Sequence, residues 1–191
     1  MKIERYVVLP STILAYLCIG CATVPTKYQP KTLGTVDHGS QDAELMVTIS
    51  PRSDVVLKGD PIRFSVEVKN VAIHEVLIPN QPDINFLWTY SNGAKDNYLS
   101  DSPAERFYQD QDLVRLAPGE AKMFEVPIKT YYFDRLGITE FAARLTSARN
   151  TNPAMGKVWQ GPVFSNRYGM MITKDRDLVS RAGSAQYANL R

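Results

Sequence analysis

Residues 62–70 read IRFSVEVKN, the most regular pattern in the chain. The apolar positions are Ile62, Phe64, Val66 and Val68, and the positions between them are polar or charged. Successive side chains of a β-strand point to opposite faces of the sheet. This period of two therefore predicts a strand with one face in a core and the other in water.

The same alternation recurs before and after this stretch. Further strands are predicted near residues 45–49, 75–78, 84–90, 114–116, 124–128, 138–146 and 163–173. Turn signals such as Asn92-Gly93 separate them, and no segment shows a convincing amphipathic helical period. Seven to eight short strands predict an all-β protein, an antiparallel β-sandwich. Trp88, in the middle of one strand, is expected in its core.

The turns and strands also follow a recognisable order. After residues 62–70 comes a Leu-x-Pro-Gly-Glu turn, here residues 116–120, which read LAPGE. A penultimate strand begins at Gly137, and a closing strand begins with Ser165-Asn166. This order resembles that of bacterial immunoglobulin-like domains over residues 43–174. The resemblance implies an immunoglobulin-like β-sandwich, and it names no activity.

The N-terminus has the features of a targeting segment. Residues 6–20 form an apolar run, shorter than the roughly 20 residues of a membrane-spanning helix and typical of a signal peptide. The run ends in Ile19-Gly20-Cys21, which resembles the lipobox of bacterial lipoprotein precursors, with Cys18 where a leucine is usual. The resemblance implies cleavage between Gly20 and Cys21 and attachment of lipid to Cys21. An ordinary secretory signal and an uncleaved N-terminal anchor are the alternatives.

The lipoprotein resemblance divides the chain into four parts. They are a signal peptide (residues 1–20), the lipidated cysteine with a flexible tether rich in proline and glycine (21–42), the β-sandwich (43–174) and a polar C-terminal tail expected to be frayed (175–191). Ala22 follows the cysteine, which in this family favours the outer membrane, with the domain facing the periplasm. Cys18 would leave with the signal peptide, so the mature chain has no disulfide.

The polar residues form no recognisable catalytic or metal-binding motif. The two histidines are His38, in the tether, and His74, beside Glu75, and there is no Gly-x-Ser-x-Gly. Residues 110–112, DQD, lack the glycine and the terminal glutamate of a calcium loop. The formal net charge of +2 is too small to indicate nucleic acid. We therefore predict no cofactor, no metal and no catalysis, with a hydrolase built on two carboxylates as an open alternative.

Two long connections are candidates for binding, because the loops of a rigid sandwich usually carry its contacts. Residues 91–112 contain Tyr98, Phe107 and Tyr108, the candidates for contact with a ligand or a partner. The alternative is an insertion whose aromatic side chains pack back on the sheet. Residues 147–156 form the second connection and are expected to be a polar hairpin loop.

Together these features predict a membrane-anchored envelope lipoprotein that acts as a non-catalytic binding or assembly module. Its lipid would hold it to the membrane, and its partner would be another envelope protein. A lipoprotein that binds a small ligand or a glycan through residues 91–112 is the alternative, and the carboxylate hydrolase is a third hypothesis.

Charge is unevenly distributed along the chain. Residues 142–191 contain eight basic and two acidic residues. Such asymmetry can steer this part of the molecule toward anionic lipid, the carboxylates of peptidoglycan or an acidic partner. Neutralisation by opposite charges on neighbouring strands is the alternative.

Overall fold

The computed structural model describes residues 34–37, 44–98, 103–129 and 135–188. The predicted signal peptide, the predicted Gly20–Cys21 cleavage junction and His38 lie outside these residues. The elements within them are β1 (Gly34–Asp37), β2 (Leu45–Pro51), β3 (Val55–Leu57), β4 (Ile62–Asn70), β5 (Val76–Pro79), β6 (Asp83–Tyr90), β7 (Lys95–Tyr98), β8 (Glu105–Arg106), β9 (Leu113–Leu116), β10 (Ala121–Ile128), β11 (Gly137–Thr146), β12 (Arg149–Asn150), β13 (Val163–Phe164), β14 (Arg167–Thr173) and α1 (Arg176–Ala188). No helix in the described residues is long and apolar enough to cross a membrane.

The strands form two main sheets. The larger has the order β1-β14-β11-β6-β7, with β13 added to β11 and β3 added to β14, and the smaller has the order β10-β4-β2. Most pairings are antiparallel, whereas β3 pairs with β14 and β8 pairs with β12 in parallel. The predicted all-β, immunoglobulin-like sandwich is confirmed, and its antiparallel character holds for most of its strands.

The core lies between the two sheets. In β4, the four apolar residues of the IRFSVEVKN pattern are each at most 1% exposed, as the alternation predicts. Phe64 of the smaller sheet contacts Phe86 and Phe141 of the larger one, with ring centroids 4.8 and 5.3 Å apart. Trp88 is buried, which confirms its predicted place in the core. Burial of side chains of this size contributes about 1.5–3 kcal/mol each, so these contacts are the main attraction between the sheets.

A buried amide joins the two sheets just before β14. Oδ1 of Asn166 accepts a hydrogen bond from the backbone N–H of Ile49 in β2 (2.7 Å), and Nδ2 donates to the carbonyl of Ile49 (3.3 Å). Ser165 makes equivalent contacts with Ala143 of β11. Its hydroxyl accepts a hydrogen bond from the N–H of Ala143, and its backbone N–H donates to the carbonyl of Ala143. Residues 165 and 166 therefore bond to one backbone position in each sheet.

A phenol hydroxyl fixes the connection between β2 and β3 to the larger sheet. The hydroxyl of Tyr168, a half-buried residue of β14, donates to Oδ1 of Asp54 (2.7 Å). Burial, together with Asp54, raises the pKa of Tyr168 to about 12. The hydroxyl therefore stays protonated near neutral pH and remains a donor to the carboxylate.

Three features differ from the sequence expectations. Within the predicted tether, β1 pairs with β14 through backbone groups, which requires no alternation of side chains. Within the predicted frayed tail, Arg176–Ala188 form a helix, because Oδ1 of Asp175 accepts from the N–H groups of Asp177 (2.9 Å) and Leu178 (3.1 Å) and caps its first turn. The described residues contain fourteen strands rather than seven to eight, because the predicted strand 163–173 is divided into β13 and β14 and five short strands of two to four residues were not predicted: β1, β3, β7, β8 and β12.

Replacement of Asn166 tests the contact between the sheets. Asn166→Ala leaves the buried N–H and carbonyl of Ile49 without these partners, which costs about 1–3 kcal/mol for each group. We expect the free energy of unfolding, measured by urea denaturation, to fall by about 2–4 kcal/mol.

The matched control is Asn97→Ala, because Asn97 is exposed on β7. This change should alter the free energy of unfolding by less than about 0.5 kcal/mol. Equal stabilities of the two variants would contradict the proposed role of the Asn166 amide.

Candidate functional site

Three connections meet at the end of the sandwich where β4 ends. They are residues 71–75, between β4 and β5, residues 103–112, before β9, and residues 147–162, between β11 and β13. Asn70, the fully buried last residue of β4, donates from Nδ2 to the carbonyls of His74 and Leu116, at 2.8 Å each. We call the described residues of these connections, with β5 and β9, the loop end.

The two loops that the sequence marks as binding candidates lie against each other. β8, from the first loop, pairs with β12, from the second. The N–H of Arg149 donates to the carbonyl of Ala104 (2.9 Å), and the guanidinium of Arg149 forms an exposed ion pair with Glu105 (3.4 Å). The loops therefore form one continuous surface, which the sequence alone does not reveal.

The buried side chain of Asn152 forms hydrogen bonds with backbone groups of both loops. Nδ2 of Asn152 donates to the carbonyl of Tyr108 (2.6 Å), and Oδ1 accepts from the N–H of Ala154 (3.0 Å). The N–H of Trp159 donates to the carbonyl of Leu77 in β5 (2.9 Å). Because these backbone groups are satisfied within the protein, the loops are held in one arrangement before any partner binds.

The aromatic residues predicted to form contacts differ in their exposure to solvent. Tyr108 is 1% exposed and packs with Leu113, Ala148 and Val158, so for this residue the alternative of an aromatic packed back on the domain holds. Burial raises the pKa of the Tyr108 hydroxyl, and the charge of the nearby Arg106 partly offsets that rise.

Phe107 has the opposite orientation, because 59% of the residue is exposed. Tyr98 lies at the end of β7, where its backbone pairs with Phe86. The side chain of Tyr98 lies outside the described part of the chain. Of the predicted contact residues with described side chains, Phe107 alone is available to a partner.

A further exposed apolar residue at the loop end was not predicted. Ile73 is 97% exposed in the connection between β4 and β5. The signal was present in the sequence, since residues 71–75 read VAIHE and place an isoleucine in a short turn. Next to it, Oε1 of Glu44 lies 3.5 Å from His74 Nε2 and forms an ion pair with Lys157 Nζ (3.4 Å).

The titratable groups of the loop end are engaged with one another. Arg115 pairs with Glu75 (3.2 Å) and with Asp110 (3.1 Å), and these contacts raise the pKa of its guanidinium. The carboxylate of Asp112 accepts a hydrogen bond from the N–H of Gln109 (2.9 Å). In the described residues, no group of three or more His, Cys, Asp or Glu side chains is placed to hold a metal ion. The arrangement is one of charged pairs around exposed apolar side chains.

A small cavity lies at the opposite end of the sandwich. It has a volume of about 140 Å³ and is lined by Arg52, Ser53, Val56, Pro61, Ile62, Arg63 and Met170. Two arginines and several apolar residues contribute to this lining, which contains no acidic residue.

Comparison with known proteins adds no functional assignment. No protein-family model matches the chain, and no curated protein sequence matches it. The chain is similar to the CARDB domain of the PF1109 protein from Pyrococcus furiosus, with 16% identity, 76% of this chain and 97% of that chain covered, and a TM-score of 0.35. It is also similar to the C-terminal domain of wzt (10% identity, 75% and 83% covered, TM-score 0.44).

A third similar structure is Spo0M, a sporulation control protein from Bacillus subtilis. The identity is 11%, the match covers 77% of this chain and 56% of that chain, and the TM-score is 0.42. Similarities at this level carry no argument about function, and the fold assignment rests on the strand pairings described above.

Two neighbouring substitutions test the opposite placement of the aromatic residues. Tyr108→Ala empties a buried site, and we expect a loss of about 2–4 kcal/mol in the free energy of unfolding. Phe107→Ala removes an exposed side chain and should cost less than about 0.5 kcal/mol. Urea denaturation measures both, and a similar cost for the two variants would show that the described orientation of residues 107 and 108 is wrong.

Proposed function

We propose that this chain is a lipid-anchored lipoprotein of the bacterial envelope that binds a partner protein through its loop end. The observation that supports binding is that Phe107 and Ile73 are exposed on loops whose backbone groups are held by buried asparagine side chains. Exposed aromatic and aliphatic side chains on a rigid surface are typical binding anchors. Loops that are already ordered lose little conformational entropy on binding.

The charged groups of the loop end support a protein partner. The ion pairs of Glu44, Arg115 and Arg149 are exposed or half-exposed, so each contributes little to stability. Polar groups around an apolar centre are the usual rim of a protein interface. The partner is therefore expected to present a small apolar pocket surrounded by charges of both signs.

The two alternative functions have less support. The glycan-binding hypothesis relies on Tyr98, Phe107 and Tyr108 acting together, and Tyr108 is buried. The hydrolase hypothesis needs two free carboxylates, whereas Glu44, Glu75 and Asp110 at the loop end are each engaged with a basic side chain. A non-catalytic module fits the described residues better.

The proposed anchor is Cys21, on the strength of the Ile19-Gly20-Cys21 sequence at the end of the apolar run. Ala22 supports retention at the outer membrane, with the domain in the periplasm. The described chain begins at Gly34, 13 residues after this cysteine. A flexible segment of that length has a root-mean-square span of about 20 Å, so the sandwich would work close to the membrane.

Metabolic labelling with a palmitate analogue tests the anchor. The wild type and Cys18→Ser should both be labelled, because Cys18 lies in the part that is removed. Cys21→Ser should lose the label, since it removes the thiol to which lipid is attached. Equal labelling of Cys21→Ser and the wild type would contradict the lipoprotein assignment.

Photo-crosslinking in intact cells tests the binding surface. A photoreactive amino acid at position 107 or 73 should yield the same discrete adduct. The control is position 60, because Asp60 is exposed in the turn between β3 and β4, at the other end of the sandwich. Phe107→Asp should weaken the adduct formed from position 73. Absence of an adduct from both loop-end positions, or an equal adduct from position 60, would contradict the proposal.

A further inference from the structure

The end of the sandwich opposite the loop end carries an excess of basic side chains. We call it the basic end and define it as residues 51–54, 58–63, 129, 135–136 and 174–177. The pairs Thr173–Leu57, Ile128–Ile62 and Gly137–Ile172 place these residues together. The basic residues are Arg52, Lys58, Arg63, Lys129, Arg135, Lys174 and Arg176, and the acidic ones are Asp54, Asp60, Asp175 and Asp177.

Two of the acidic residues of the basic end accept hydrogen bonds from other groups of the protein. Asp54 accepts the hydrogen bond of the Tyr168 hydroxyl, and Asp175 caps helix α1. The described residues of the loop end show no such excess, since four acidic residues are balanced by four basic ones. The domain therefore has a charge difference along its long axis, which tends to orient it near a charged surface.

Strand β1, followed from Asp37 back to Gly34, points in the direction of the basic end. β1 is antiparallel to β14, with Asp37 opposite Arg167 and Gly34 opposite Gly169. Followed backwards from Asp37, the chain thus runs along β14 toward Thr173. Four residues separate Gly169 from Thr173, a distance of about 13 Å along a strand. This distance is shorter than the span available to the residues that precede Gly34.

The cavity at this end provides a place for an anionic group. Arg52 and Arg63 line it together with Ile62 and Met170, whose side chains are buried. The ion pair between Arg52 and Glu125 is 3.4 Å long, and its two side chains are 65% and 48% exposed. An ion pair in water at this exposure is weak, so a phosphate can compete for the guanidinium.

We propose that the basic end lies against an anionic phospholipid surface, with Arg52 and Arg63 contacting headgroup phosphates. The charge of this end, the direction of β1 and the cavity lined by two arginines all favour this partner. The orientation in the cell rests on the proposed lipid anchor, whereas the affinity for anionic lipid does not require it. The loop end then faces away from the membrane, toward a partner.

Vesicle flotation tests this affinity without an anchor. The protein is the mature chain, residues 21–191 with Cys21→Ser, so neither the apolar run nor an acyl chain contributes. We expect it to float with phosphatidylcholine vesicles that contain about one third phosphatidylglycerol and not with phosphatidylcholine alone. Binding should fall strongly at about 0.5 M salt, because the Debye length then shortens to a few ångströms.

Matched charge reversals locate the contact. Arg63→Glu, Lys129→Glu and Arg176→Glu together should lower the partition onto anionic vesicles by at least about a hundredfold, since each basic residue near the surface contributes about fivefold. Lys69→Glu, Lys122→Glu and Lys157→Glu change the net charge equally, near the other end of the sandwich, and should have a much smaller effect. Thermal unfolding of both variants checks that they are folded.

The outcomes separate this proposal from the proposed anchor. Failure to bind anionic vesicles, equal binding to neutral vesicles, or an equal loss in both triple variants would overturn it. Because the protein carries serine at position 21, none of these results bears on lipidation, which the palmitate label tests independently.

Discussion

The arrangement of the two sheets depends on the side-chain amide of Asn166. Ile49 is buried, so its backbone N–H and carbonyl cannot be satisfied by water. Asn166 offers one acceptor and one donor in the geometry of a neighbouring strand, and Ser165 makes equivalent contacts with Ala143 of the other sheet. Apolar contacts draw the sheets together without direction, whereas these hydrogen bonds define which residues face each other. The position of each end of the sandwich follows from that register.

The same device is repeated at the loop end. Asn70 and Asn152 are buried amides that bond to backbone groups of separate segments, and each therefore fixes a connection that has no regular secondary structure. Burial of an amide costs free energy, and this cost is offset only when most of its donors and acceptors form hydrogen bonds. Each asparagine therefore favours the one loop conformation in which these bonds form. The loop end is therefore held in one arrangement that leaves Phe107 and Ile73 exposed. The chain thus combines a fixed scaffold with two ends of different chemistry, for which we propose a protein partner and an anionic lipid surface.

The sequence predicts those parts of the fold that depend on side-chain alternation. Strands β4 and β6 and the place of Trp88 follow from it, because their buried positions repeat with a period of two. β1 and β8 cannot be predicted in this way, since they pair through backbone groups common to all sequences. The helix α1 depends on a cap at Asp175 and on packing against β3 and β14, neither of which gives a clear periodic signal. At the candidate site, the sequence cannot tell that Phe107 points outward and Tyr108 inward.

The central claim is that the basic end of the sandwich contacts the membrane surface and that the loop end faces away from it. Quenching of a fluorophore by spin-labelled lipid headgroups measures this orientation in vesicles that carry the lipidated mature protein. Asp60→Cys places the label at the basic end, and Ile73→Cys places it at the loop end, about 30 Å away along the nine residues of β4. The account predicts strong quenching at position 60 and little at position 73. Equal quenching at the two positions, or stronger quenching at position 73, would contradict it.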